Sequence, residues 1–457
     1  SWKRKLGPDE YDLLAAADIW CMPLFDRWAS DIGIGSEFTW GCAILQYAEK
    51  EIQMSSEVTA RTPSEDPVNI NLAIMWMLLG VFAVGTVEYL VAGVLPQISH
   101  DMTVTEATAG LLVTVYALTV VIGGPLLTIA TSRVKRTPLV LALMTLFIAG
   151  NLLTALAPSF PLLVIARAMT ALPHATFFAL CLVLATTLVG PSHQSRVIAR
   201  IALGLNLATV LGVPLGTLIG NQYGWRSSFL VVAIFQTIVT VALVLTIRYA
   251  PEHAGGGITA EVKVFGRGEV LKALGLTMLS QSGLFVLFTF ITPYLGQHAG
   301  LGPNAITLIL FVFGVGSIVG NMLGGHFADR NMNATLYIAL GTLATSLFIL
   351  FLFGNHAWFT AVWMFIVGAA GFSIIPPLTS KLIGAASNAP NLATTVNIAG
   401  FQLANAAGAW IGSTTLSMRL GVGSLPLIGA ALALVAVCLL WLTNVIAFRG
   451  QTSGGQS

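Results

Sequence analysis

The sequence predicts an all-α membrane protein of twelve spanning helices in two six-helix halves. Three observations carry that prediction. Of 457 residues, 56% are hydrophobic and only 9% charged, against about 25% charged in an ordinary soluble domain. From Gly80 to Phe448 the chain is a succession of apolar runs, each close to the roughly 20 residues that cross a bilayer. One polar stretch interrupts them near the middle.

The first six spans are expected at residues 74–95, 108–130, 138–156, 161–189, 197–220 and 228–249. The second six follow at 273–295, 305–327, 334–353, 358–383, 394–418 and 424–447. Irregular backbone cannot face lipid, so runs of this length must be helical. The segment 250–271 is polar and broken by Gly255, Gly256 and Gly257, which marks it as a cytoplasmic linker between a bundle at 69–249 and another at 272–448. The turn Gly325-His326-Phe327-Ala328-Asp329-Arg330 occupies the same place in the second half as Thr128-Ile129-Ala130-Thr131-Ser132-Arg133 in the first. This weak internal repeat matches the parallel-repeat architecture of major facilitator transporters.

Loop charge sets the orientation. With the N-terminus inside, the inner loops hold Arg133, Lys135, Arg136, Arg196, Arg200, Arg248, Lys263, Arg267, Lys272, Arg330, Lys381 and Arg449, and the outer loops only Arg226 and Arg419. The positive-inside rule then places both termini in the cytoplasm, in a cell (inner) membrane, with 449–457 as a cytoplasmic tail. Residues 1–68 contain no span and read as a cytoplasmic extension. Met54, followed by a polar stretch, resembles a start codon, so 1–53 is either a fusion, an extended gene reading or a small module.

Composition and motifs exclude several classes. The net charge is +2 and its basic residues are dispersed in short loops rather than on one face, so charge gives no sign of nucleic acid, and no such partner is expected. Cys181 and Cys438 lie in apolar runs, and Cys21 and Cys42 have no metal-ligand spacing. No nucleophile with a base, Walker A loop or GxGxxG after a strand is present, so neither an enzyme nor an ATP-driven pump is expected. No cofactor is expected either.

Away from the ends of the runs, only Glu88 and Arg167 carry a full charge. A charge in hydrocarbon costs roughly 2.5–3.5 kcal/mol even on insertion scales, so such residues usually line a polar pathway. At 1.5 Å per residue they lie at similar depth. They are either a structural ion pair or a proton site, Glu88, whose proton affinity Arg167 tunes. His174, seven residues after Arg167, is a second proton-site candidate, or else a residue satisfying a helix kinked at Pro173. Gly204, Gly212, Gly216 and Gly220 with Pro214 form a smooth face for close helix approach in the fifth span.

Gly85-Thr86-Val87-Glu88-Tyr89 with Gly93-Val94-Leu95-Pro96-Gln97-Ile98 and Asp101 resembles the first-helix signature of the drug:proton antiporters of the major facilitator superfamily. The likeness continues through 109–117, Arg167, 173–178, Gly212 to Thr217 and Gly224-Trp225-Arg226, and is nearest to the sugar and arabinose efflux permeases and chloramphenicol exporters. The resemblance implies a proton-coupled secondary transporter that exports a small amphipathic molecule by alternating access, working as a monomer on the proton gradient. A proton-coupled importer of the same fold and a membrane receptor or scaffold without transport are the alternatives. It also implies that Arg167 takes part in proton transfer. Gly212, Pro214 and Gly216 would serve a pliable interface between the halves, and Asp329 with Arg330 would lock neighbouring helices at the inner gate. The first-half copy of that lock has Ser132 where the family usually has Asp, so Arg133 either gates or only sets orientation. The substrate would lie in a central cavity, with Tyr116, Asn206, Gln281, Phe285, Phe288, Asn397 and Asn405 as candidate contacts, each of which is equally an ordinary packing or hydrogen-bonding group.

Overall fold

Apolar runs longer than a bilayer is thick leave the backbone one way to satisfy its polar groups, and in the computed structural model they are helices. The structure describes residues 70–131, 134–189, 193–247, 268–385 and 390–453. The helices are α1 (Ile70–Asp101), α2 (Glu106–Ala130), α3 (Arg136–Leu156), α4 (Phe160–Thr187), α5 (Arg196–Tyr223), α6 (Trp225–Ile247), α7 (Gly268–Thr289), α8 (Pro303–Ala328), α9 (Met332–Phe353), α10 (Ala357–Lys381), α11 (Pro390–Ser417) and α12 (Leu425–Ser453). Among the described residues, eleven helices are long and apolar enough to cross a membrane; α11, with 28 residues, has the length but carries more polar side chains.

Caps fix several boundaries. Thr105 accepts a hydrogen bond from the Thr108 amide (3.1 Å) ahead of α2, and Asn331 does the same for the Ala334 amide (3.0 Å) ahead of α9. α7 already begins at Gly268, so the last four residues of the expected 250–271 linker are helical. The rest of that linker, the extension 1–68 with its 1–53 segment, and Arg133 lie outside the described residues. The expected tail 449–457 is helical as far as Ser453.

Four helices depart from the uniform winding that apolar periodicity implies, α10 by a break at Ile374 ahead of Pro376 and Pro377. α4 is interrupted at Leu172 and Pro173, between helical stretches Phe160–Ala171 and His174–Thr187. α5 widens into a π-turn at Ala208–Gly212 directly before Pro214. The missing proline N–H deprives the preceding turn of a hydrogen bond, and the wider turn relieves the clash. α7 breaks at Phe290 and ends in a second π-turn, Tyr294–His298.

One hydrophobic cluster is drawn almost wholly from α1–α6, a second from α7–α12. A smaller cluster joins Leu95 and Ala109 to Val286, Phe290 and Leu425 at the end of the molecule bearing the α1–α2 turn. Polar ties between the first and last six helices lie from mid-depth to that same end. Thr292 Oγ1 donates to the Ala92 carbonyl (2.7 Å), Gln297 Nε2 to Glu106 (2.7 Å) and Asn221 Nδ2 to Thr307 Oγ1 (3.4 Å), while Thr209 and Ser317 share a hydroxyl contact of 3.4 Å.

The α5 glycines face α1, not the opposite half. A methyl added at Gly212 would collide with Thr86, one at Gly216 would meet Leu90 at 2.5 Å, and one at Gly220 would meet Val94 at 2.8 Å. Gly212 and Gly216 thus belong to the α1 contact and not, in this arrangement, to the interface between the halves. That interface uses the other side of the π-turn, where Gly314 of α8 lies against the Val210 backbone (2.6 Å to its Cα). Glycine spacing says that a helix comes close; only packing says which one.

Candidate functional site

Glu88 sits at mid-depth in α1 and is only 4% exposed. Gln402 Nε2 of α11 donates to its Oε1 at 2.8 Å, and Asn405 Nδ2, one turn further along α11, reaches the same oxygen at 3.4 Å. His174 Nε2, from the start of the second stretch of α4, stands 3.8 Å from Oε2. The carboxylate thus bridges three helices and both halves. Leaving a charged group in such a place without partners would cost several kcal/mol; here Oε1 accepts from two amides, while the His174 ring stands just beyond hydrogen-bond distance of Oε2.

The other face of His174 extends the network. Its Nδ1 and the Tyr116 hydroxyl are 2.9 Å apart, and both side chains are buried. The Arg167 guanidinium lies over the Tyr116 ring, 4.4 Å from the centroid, a cation–π arrangement. Arg167 itself is completely buried and donates from Nη1 to the Val87 carbonyl at 3.0 Å; its Nε and Nη2 have no protein partner. Arg167 and Glu88 therefore form no direct ion pair. Arg167 engages the backbone next to Glu88, and Tyr116 with His174 completes the path between them. The interruption of α4 at Pro173 turns His174 toward α1 and α2 while Arg167 stays on the preceding stretch.

The expected substrate contacts separate into groups. Tyr116 and Asn405 belong to the Glu88 network. Phe285 and Phe288 are nearly buried, 3% and 6% exposed, and pack edge to face with each other. Tyr89 stacks on Phe285 (6.4 Å) and Phe288 stacks on Phe313 (5.2 Å), which makes an aromatic cluster from α1 across α7 to α8. In this arrangement they pack on one another, as the face and edge quadrupoles of aromatic rings favour. Gln281 is fully buried and ties α7 to the Gly371 carbonyl of α10 (3.1 Å). Asn206 is half-buried on α5, and the Asn397 side chain lies outside the described residues.

Asp329 and Arg330 are both exposed at the end of α8, and among the described residues neither makes an ion pair. The expected charge lock is not formed in this arrangement. The ion pair that does close a turn joins Arg226 to Asp101, with Trp225 Nε1 donating to the same carboxylate at 3.0 Å. Sequence reading missed Gln402 and Tyr89. Gln402 carried the only available signal, an amide in an apolar stretch three residues before Asn405.

The sequence profile of the Major Facilitator Superfamily matches residues 77–275 and again residues 273–454. The chain belongs to the Major Facilitator Superfamily. It is a multi-pass membrane transport protein and not an enzyme. The inner membrane transport protein YdhP of Escherichia coli (strain K12) is 35% identical over 376 residues, 82% of this chain and 97% of the relative. A chloramphenicol resistance protein of Streptomyces lividans is 32% identical over 373 residues, 81% of this chain and 95% of the relative. The crystal structure of a D-xylose-proton symporter superposes with a TM-score of 0.68 at 17% identity, covering 81% of this chain and 97% of that one. That last likeness concerns the fold alone. The first-helix signature and the relative named for chloramphenicol resistance point to the same efflux branch of the superfamily.

Proposed function

We propose that this major facilitator protein exports a small amphipathic molecule in exchange for protons, with Glu88 as the coupling carboxylate. The single observation that carries this is the bridge from Glu88 on α1 to Gln402 and Asn405 on α11. An ionised carboxylate only accepts hydrogen bonds, and charge-assisted bonds are roughly twice as strong as neutral ones. Protonation removes the charge and converts one oxygen to a donor, so the hold on α11 weakens. Hydrogen bonds to charged groups contribute about 1.5–3 kcal/mol each. Neutral ones contribute about 0.5–1.5 kcal/mol, so protonation removes about half of that hold, a bias of roughly 2–3 kcal/mol or about one to two decades in the equilibrium. The proton on Glu88 thereby sets which arrangement of the halves is favoured.

His174 stands where it can pass a proton to or from Glu88, and Tyr116 fixes the imidazole by its hydroxyl. Arg167 is a positioning residue: it holds the Val87 carbonyl and the Tyr116 ring rather than the carboxylate. The Tyr89, Phe285, Phe288 and Phe313 cluster beside Glu88 is the surface an amphipathic substrate would part on entering between the halves. Both termini are assigned to the cytoplasm by the loop charges, which makes the closed α1–α2 turn end the outer one. Small-molecule substrate, protons and lipid are the partners required, and a monomer suffices.

The test is efflux in everted vesicles read with a pH-sensitive dye over a panel of amphipathic substrates. Wild type should release vesicle protons on adding substrate, and Glu88→Gln, inserted to the same level, should not. Unchanged coupled transport in Glu88→Gln would overturn the assignment. Proton movement in the same direction as substrate would make the protein an importer, and absence of any flux would make it a scaffold.

A further inference from the structure

A groove of about 480 Å³ runs along the outside of the second half, between α8, α9 and α10, and takes no part in the Glu88 network. Its floor is thin because α8 and α10 touch through their backbones. A methyl at Gly320 or Gly324 would collide with the carbonyls of Ala369 or Ser373. Its rims are apolar and open outward, with Phe327 48% and Ile338 70% exposed. The α9 wall, from Asn331 to Thr342, is about 16 Å long at 1.5 Å per residue. That is about half of the roughly 30 Å hydrocarbon core, the depth of one leaflet.

The two ends of the groove differ chemically. Arg330 stands at the α8–α9 turn, with its guanidinium 6.0 Å from the centre of the Phe327 ring. It is exposed and makes no ion pair among the described residues, and the neighbouring Asp329 is not part of the lining. The far end, near Thr342 and Phe365, is apolar. A cation at the level of the headgroups and an apolar slot one leaflet deep fit an amphiphile with an anionic head. We propose that this groove binds a negatively charged glycerophospholipid, one acyl chain lying along α9 and the headgroup phosphate on Arg330. The groove shares no residue with the Glu88 network. A lipid held there would splint α8 against α9 and α10.

Native mass spectrometry of the purified full chain, titrated with phosphatidylglycerol or with phosphatidylcholine of the same acyl chains, reads the site directly. Wild type should retain phosphatidylglycerol at the lower concentration. Arg330→Ala should lose about fivefold in phosphatidylglycerol retention and leave phosphatidylcholine unchanged, the size expected for one basic residue at an anionic surface. Arg330→Lys should keep most of the preference. Thr342→Trp, which fills the deep end, should weaken long-chain phosphatidylglycerol more than a short-chain homologue. Equal retention of the two headgroups by wild type would overturn the proposal, as would an Arg330→Ala protein that binds like wild type. A dimer that disappears in Thr342→Trp would assign the groove to a second copy of the chain. Should Arg330→Ala fail to remain monodisperse, the headgroup and chain-length comparisons on wild type and Arg330→Lys decide the matter.

Discussion

Tyr116 shows how one hydroxyl can matter more than a charge. It is the only side chain in the Glu88 network that touches both His174, at 2.9 Å, and the Arg167 guanidinium, over its ring. Tyr116→Phe keeps the ring under Arg167 and removes the bond to His174. A buried ring nitrogen left without its partner costs about 1–3 kcal/mol. The variant should lower the melting temperature in detergent and slow coupled transport, while Tyr116→Leu should do more, since the cation–π contact is lost as well. Equal behaviour of Phe and wild type in both assays would show the hydrogen bond to be idle. Gln402→Leu tests the opposite side. It removes the shorter of the two α11 bonds to Glu88, so substrate flux should persist with reduced proton movement per substrate. A variant that transports and couples normally would remove Gln402 from the mechanism. Arg167→Ala and Glu88→Gln should be coupled in a double-mutant cycle through Tyr116 and His174, although the two charges do not meet. Simple additivity of their losses would show two separate sites.

At the level of single helices, the contact of α5 with α1 depends on residues without side chains. Gly216→Val would drive two methyl groups into Leu90, whose Cδ1 lies 2.5 Å from the position of an added Cβ. Overpacking of this kind typically costs 1–3 kcal/mol. The protein should insert but melt earlier, whereas Gly275→Val, at a position with nothing within 4 Å of the added Cβ, should melt as wild type does. Similar melting of the two variants would mean that α1 and α5 can move apart freely. The π-turn at 208–212 presents Val210 to Gly314 of α8 and Gly212 to Thr86 of α1 at once. An ordinary α-helical turn would rotate one of these away.

For the molecule as a whole, the ties between halves are concentrated at mid-depth and at the α1–α2 turn end. Cysteines replacing Glu106 and Gln297, whose long side chains meet at their tips at 2.7 Å, should be bridged by a short, reducible bifunctional thiol reagent, which spans more than a direct disulfide can. The cross-link should arrest transport, and reduction should restore it, because alternating access requires this end to open. Transport that continues through the cross-linked protein would show that the end does not part. Deleting residues 1–53 should leave insertion and transport intact, because every spanning helix among the described residues begins later; loss of membrane insertion would contradict this.

Which parts of this protein the sequence determines follows from how far each physical signal reaches along the chain. Apolar runs, loop charges and the isolated Glu88 and Arg167 are local features, and bilayer energetics translate them directly into spans and into residues that must face a polar interior. The twelve helices, the superfamily and the position of the carboxylate were legible for that reason. Partner choice was not. Gln402 meets Glu88 across 314 positions, and no periodicity reports a contact between helices from opposite halves. The same holds for Arg167, which the sequence places at the right depth but which the break at Pro173 and the ring of Tyr116 direct to a backbone carbonyl. Glycine spacing predicted a close helix contact and packing chose α1 for it. The chain alone thus decides which groups enter the membrane, while the tertiary structure decides which of them hold one another, because burying a charge demands partners and only the packed helices can supply them.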